Sequence, residues 1–179
     1  PASFEGLQHT SVYRLADGTQ VVYGALANQG GIVELRFDGN GTLLGHALRY
    51  DQSVTTTARI ADTVIVDVDG QAFLLTASQF QNGVTARRID GTGTLSDAQT
   101  VDIDDGLWIN APTAMATATV NGQTFIVLAA AGSDSLSVIE IAIDGSLVIR
   151  DHLMDGRDTR FGGVTALEVV QHDGKTYVI

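Results

Sequence analysis

The sequence predicts an all-β fold, a β-propeller made of four-stranded antiparallel blades. Three observations predict it. Gly18, Gly70, Gly122 and Gly174 recur at a step of 52 residues, following Asp17, Asp69, Asn121 and Asp173. Each pair precedes an apolar, strand-like run that begins near Val21, Phe73, Phe125 or Tyr177. No segment sustains the helical spacing of apolar side chains. A period this long, with turn signals inside it, marks a supersecondary unit repeated in an array.

The elements follow in order. Residues 1–8 lead into a first blade at 9–52, whose turns are Asp17-Gly18, Gly30-Gly31 and Asp38-Gly39-Asn40-Gly41-Thr42. Residues 53–60 connect it to a second blade at 61–104, turning at Asp69-Gly70, Asn82-Gly83 and Asp90-Gly91-Thr92-Gly93-Thr94. Residues 105–112 lead to a third blade at 113–156. Its strands are expected at Thr113–Val120, Thr124–Ala131, Leu136–Ile143 and Leu147–Leu153. Residues 157–164 then lead to an incomplete fourth blade at 165–179. Asn-Gly and Asp-Gly supply the positive φ angles of tight hairpins, and β-branched or aromatic residues fill the runs between them. The register also relates Ala25, Ala77 and Ala129, and Leu43, Leu95 and Leu147.

Patterning separates a propeller from a sandwich. A sandwich strand has a wet face and alternates apolar with polar. Phe125 to Ala131 is apolar throughout, as a blade flanked by two others requires. The third strands are more mixed (Glu34, Arg36, Arg87, Arg88, Glu140), which suits a place further out. Ala114, Ala116 and Ala118 in a first strand fit crowding near a central axis. The 179 residues are expected to form a single partial propeller. That is about 3.4 blades, where closed rings need roughly 4 to 8. Other blades of the same parent chain, or a second copy, are therefore expected to close the ring.

Composition restricts the partners. The net charge of −11 comes from 17 Asp and 4 Glu against nine Arg and one Lys. A field of that sign repels nucleic-acid phosphates and anionic membrane surfaces, so neither is an expected partner. No apolar stretch approaches the length of a membrane-spanning helix. Without cysteine there is no disulfide, thiol nucleophile or thiolate metal site.

The string Ala130-Ala131-Gly132-Ser133-Asp134-Ser135-Leu136-Ser137-Val138-Ile139-Glu140-Ile141, followed by Asp144-Gly145-Ser146-Leu147, resembles the blade signature of lactonase-type seven-bladed propellers. A similar pattern occurs in the propeller-like regions of large secreted bacterial calcium-binding proteins with glycine-rich repeats. The lactonase resemblance implies hydrolysis of sugar lactones by polar residues around a central channel, though no residue here matches such a set position by position. The other implies a secreted or cell-surface bacterial setting, with the cytoplasm also compatible. The glycine-rich nonapeptide of that group does not occur between Pro1 and Ile179.

Candidate site residues lie in the connections. Asp155-Gly156-Arg157-Asp158-Thr159-Arg160-Phe161-Gly162-Gly163 offers two guanidinium groups that suit a carboxylate or sulfate, unless they pair with Asp155 and Asp158. Arg157, Asp158 and Arg160, together with Trp108 and Asn110 in the previous connection, are the candidate ligand contacts. Trp108 is alternatively a plug between blades. Asp102, Asp104 and Asp105 form a weak cation candidate. The loops at Asp38 and Asp90 lack the closing Glu of a calcium site and are read as hairpins. No cofactor is evident, and calcium has no complete motif. His9, His46, His152 and His172 share no register and no zinc spacing, and no nucleophile stands with a base. The expected function is a noncatalytic interaction or structural module, with protein or carbohydrate as ligand and the rim loops at 53–60, 105–112 and 157–164 as contact surface. The alternative is a lactonase-like hydrolase.

Overall fold

The computed structural model describes residues 6–26, 30–49 and 59–179. Of the rim loops, residues 53–58 lie outside the described residues. The first sheet runs β1 (Leu7–Arg14), β2 (Gln20–Leu26), β3 (Ile32–Phe37) and β4 (Leu43–Arg49). The second is β5 (Ile60–Val68), β6 (Gln71–Ser78), β7 (Gly83–Ile89) and β8 (Leu95–Val101). The third is β9 (Pro112–Val120), β10 (Gln123–Ala130), β11 (Ser135–Ile141) and β12 (Leu147–Met154). A two-stranded unit, β13 (Val169–His172) with β14 (Lys175–Val178), follows. Every sheet is an antiparallel meander in sequence order. The helical content among described residues is one 3-10 turn at Ile103–Asp105. These are the predicted propeller blades.

Turn chemistry sets the strand limits. Asp69, Asn121 and Asp173 have φ near 50°, and the glycines after them have φ of 85°, 79° and 70°. That is the two-residue hairpin whose twist matches the flanking strands. The first copy differs: Leu15 to Thr19 form a wider loop, closed by Leu15 N–H donating to the Thr19 carbonyl at 2.8 Å. The β3–β4, β7–β8 and β11–β12 turns share this wider form, with Asp38 N–H to Thr42 O and Asp90 N–H to Thr94 O. β11 therefore ends at Ile141 rather than the expected Ile143, because the Ala142 amide and carbonyl both serve the turn.

The second strands are buried on both faces, as predicted. Leu74, Leu75, Ile126 and Leu128 are fully buried, and each such side chain contributes about 1.5–3 kcal/mol. One apolar core lies between the first and second sheets and another between the second and third. The third strands are more buried than their charges suggest. Glu34 is 3% exposed, with the Arg49 Nε at 3.0 Å from its carboxylate. The fourth strands β4 and β12 are largely exposed.

The 52-residue step is visible as hydrogen bonds between neighbouring first strands. The Ser11 hydroxyl donates to the Thr63 carbonyl at 3.0 Å, and the Gln171 side-chain amide donates to the Thr119 carbonyl at 3.0 Å. The Asp62 carboxylate accepts from the Met115 amide at 2.7 Å. A second repeated tie links the β6–β7 and β10–β11 turns to the connections that follow. Asn82 Oδ1 accepts from Ala111 N–H at 2.8 Å, and Asp134 Oδ1 accepts from Gly163 N–H at 2.8 Å. The buried Tyr23 hydroxyl donates to the Gly93 carbonyl across the first two sheets at 2.6 Å. Burial pushes that phenol well above its ordinary pKa, which keeps it a donor.

Candidate functional site

In an antiparallel meander the starts of first strands, the ends of second strands and the incoming connections share one end of the molecule. At that end the first strands carry bulges at one repeated register. Pairing skips His9 in β1, Ala61 in β5 and Thr113 in β9. These three, with Thr165, are related by the 52-residue step. A bulge bends its strand and re-aims the extra side chain. Here the extra residues of the three bulges, with Thr165 at the equivalent position of the fourth repeat, line one cavity of about 400 Å³. Its polar wall is Gln8, His9, Arg59, Gln79, Thr113 and Thr165, and Ala25, Leu26, Ile60 and Ala61 supply the rest.

Two wall residues are held by the frame. The Gln79 side-chain amide donates to the Pro112 carbonyl at 3.2 Å, and its backbone N–H donates to the Arg59 carbonyl at 3.0 Å. The Thr113 hydroxyl donates to the Val164 carbonyl. The carboxylate next in sequence, Asp62, is occupied by the Thr63 and Met115 amides and does not line the cavity. No Asp or Glu lines it among the described residues. No group of three or more metal-ligating side chains occurs among the described residues either.

The residues singled out in the sequence stand elsewhere. Asp102 and Asp105 form a reciprocal capping box on the 3-10 turn, and Asp102 Oδ1 accepts from Asp104 N–H at 2.9 Å. Trp108 is 70% exposed and is not a plug between blades. Its neighbours Leu107 and Ile109 fill that place, at 1% and 6% exposed. Asn110 and the 155–163 loop meet on one turn, that between β10 and β11. The Asn110 carbonyl accepts from Gly132 N–H at 3.0 Å, and Asp155 N–H donates to the Asp134 carbonyl at 2.7 Å. The expected Arg–Asp pairing within the loop is absent among the described residues. Asp155 instead accepts from Phe161 N–H and the Thr159 hydroxyl, and the first of these bonds chiefly holds its carboxyl below the ordinary range. Arg157, Asp158 and Arg160 are exposed and do not line the cavity. The loops at Asp38 and Asp90 are hairpins, as predicted, their carboxylates taken by amides of their own turns.

Sequence reasoning missed Gln8, His9, Arg59 and Gln79. The signal that finds His9 is its step to Thr113 and Thr165, a register hidden by comparing histidines only with each other.

No family model matches the chain, and no curated protein matches it. Solved structures do. A family-43 β-1,3-galactosidase with galactodeoxynojirimycin is similar at a TM-score of 0.58 and 12% identity, over 96% of this chain and 66% of that one. An exo-β-1,3-galactanase from Phanerochaete chrysosporium, with β-1,3-galactotriose, is similar at 0.55 and 14%, over 81% of this chain and 35% of that one. A thermostable family-43 glycoside hydrolase is similar at 0.53 and 13%, over 97% and 62%. These are five-bladed propellers. The likeness shows the β-propeller fold and gives no support to the lactonase type or to calcium-binding repeat proteins. The chain spans between 35% and 66% of the lengths of these structures.

Proposed function

We propose that the chain is part of a β-propeller module that binds carbohydrate in the axial cavity and does not hydrolyse it with its own residues. The observation that carries this reading is the composition of the cavity wall: amide, hydroxyl, imidazole and guanidinium groups without a carboxylate among the described residues. Amides and hydroxyls match sugar hydroxyls as donors and acceptors. Glycoside hydrolysis ordinarily needs two carboxyl groups flanking the bond. The volume is of the size that small ligands use. The solved neighbours named as a β-1,3-galactanase and a β-1,3-galactosidase lend support to a carbohydrate ligand. Such a module suits a secreted bacterial protein, where glycans are met.

The test is calorimetric titration of the full-length protein with β-1,3-galactotriose and a panel of other oligosaccharides, beside an assay for released reducing sugar. Saturable binding without release is expected. No binding across the panel, or release abolished by changing a cavity residue, overturns the reading. His9, an imidazole on the cavity wall, favours one second reading: a lactonase-like hydrolase with His9 as general base. Turnover of sugar lactones lost in His9→Ala is its expected result, and no turnover removes it.

A further inference from the structure

We infer that the sugar taken by the axial cavity carries an oxyanion, as a uronic acid or a sulfated sugar does; this rests on the reading of the cavity as a carbohydrate site. Charge is the first argument. The chain has a net charge of −11 and 17 aspartates, yet the ionisable groups on this wall are His9 and Arg59. A basic spot inside an acidic molecule selects against the bulk field and for a local anion.

Backbone conformation is the second argument, independent of the first. Arg59 sits at φ 53°, and the equivalent residues of the next two connections, Ala111 and Gly163, sit at 49° and 71°. The repeat thus requires the left-handed region here, which glycine meets without strain and other L-residues at roughly 1–2 kcal/mol. Arg59 accepts that cost while exposed and without a carboxylate partner among the described residues. His9 repeats the pattern from the neighbouring blade: a bulged residue at φ 45°, exposed, on the same cavity. The φ itself belongs to the repeat, since Ala111 shares it; what singles out Arg59 and His9 is that this backbone presents an exposed basic side chain to the cavity. The two converge on one cavity from two blades.

The chemistry follows. The planar guanidinium fork of Arg59 matches the paired oxygens of a carboxylate or sulfate. Gln8 and Thr165 face the same space and suit ring hydroxyls.

The test compares three disaccharides of one size in titrations of the full-length protein: neutral galactobiose, digalacturonate, and a monosulfated galactobiose. Either anionic sugar is expected to bind about ten-fold or more tighter than the neutral one, and the tighter of the two names the oxyanion. The preference shrinks as salt rises. Arg59→Gln is expected to bring the ratio of anionic to neutral affinity, read within that one variant, down to within about two-fold of unity. Arg59→Gly, the residue found at the equivalent position 163, does the same while relieving the backbone, so lost folding cannot account for the loss. Equal binding of all three sugars, or a preference unchanged in both variants, overturns the inference and leaves carbohydrate binding standing. Binding of none of the three nor of the wider panel overturns the carbohydrate reading itself.

Discussion

Gly41, Gly93 and Gly145 occupy one register position in three successive blades, and alanine at each gives a graded test of blade packing. All three have left-handed φ, at 85°, 76° and 88°. The backbone cost of a Cβ is therefore shared, roughly 1–2 kcal/mol, partly offset by a stiffer unfolded chain worth about 0.4–1 kcal/mol. The surroundings differ. A Cβ at Gly41 meets nothing within 4 Å, whereas at Gly93 it lies 2.7 Å from Val21 Cγ2 and at Gly145 2.9 Å from Phe73 Cε1. Val21 and Phe73 belong to the preceding blade and are 0% and 1% exposed, so neither can move aside. Overpacking of this kind costs a further 1–3 kcal/mol, roughly. Thermal unfolding followed by circular dichroism reads the difference. Gly93→Ala and Gly145→Ala are expected to melt roughly 2–12 °C below Gly41→Ala, at about 2–4 °C per kcal/mol for a domain of this size. Equal losses at the three positions would refute the packing argument.

Asn82→Ala leaves the Ala111 N–H without its acceptor and is expected to cost about 1–3 kcal/mol in urea unfolding, while Asn82→Asp, the residue at equivalent position 134, stays within about 1 kcal/mol of the parent. Leu107→Ala, at a buried position, is expected to cost about 2–5 kcal/mol, and Trp108→Ala no more than about 0.5 kcal/mol, by the same measurement. Acid sensitivity follows from the turn carboxylates. The Asp38 pKa is lowered mainly by the Thr42 amide, Asp90 by the Thr92 hydroxyl and Asp144 by the Ser146 amide. Their stabilisation is present above the unfolded carboxylate pKa of about 3.9 and is lost as pH falls through the lower folded values. A triple Asp→Asn variant at these positions is expected to show a shallower stability loss below about pH 4; an unchanged slope counts against the turn assignment.

Much of the fold is legible because the repeat places turn chemistry and apolar runs in fixed register. Asp69-Gly70 and Asn121-Gly122 form the hairpins their residues demand. Asp17-Gly18 looks the same but turns wider, because the Asp17 carboxylate engages Thr19 N–H instead. That choice between two local hydrogen bonds leaves no mark in composition. Trp108 shows a second limit: three adjacent apolar residues, Leu107, Trp108 and Ile109, all suit a plug, and chain direction after the 3-10 turn decides which two enter. The cavity was the least legible part. It is built from single residues on four repeats, none a motif, and its strongest signal is a backbone strain at His9 and Arg59 that has no counterpart in residue identity.

A crystal structure of the full-length protein with its tightest-binding saccharide tests the central claim most directly. The account predicts the sugar in the axial cavity, against His9, Arg59 and Gln79, with no carboxylate of this chain at its glycosidic bond. A sugar bound instead on the Trp108 connection or the Arg157–Arg160 loop, with the cavity occupied by water alone, would contradict it.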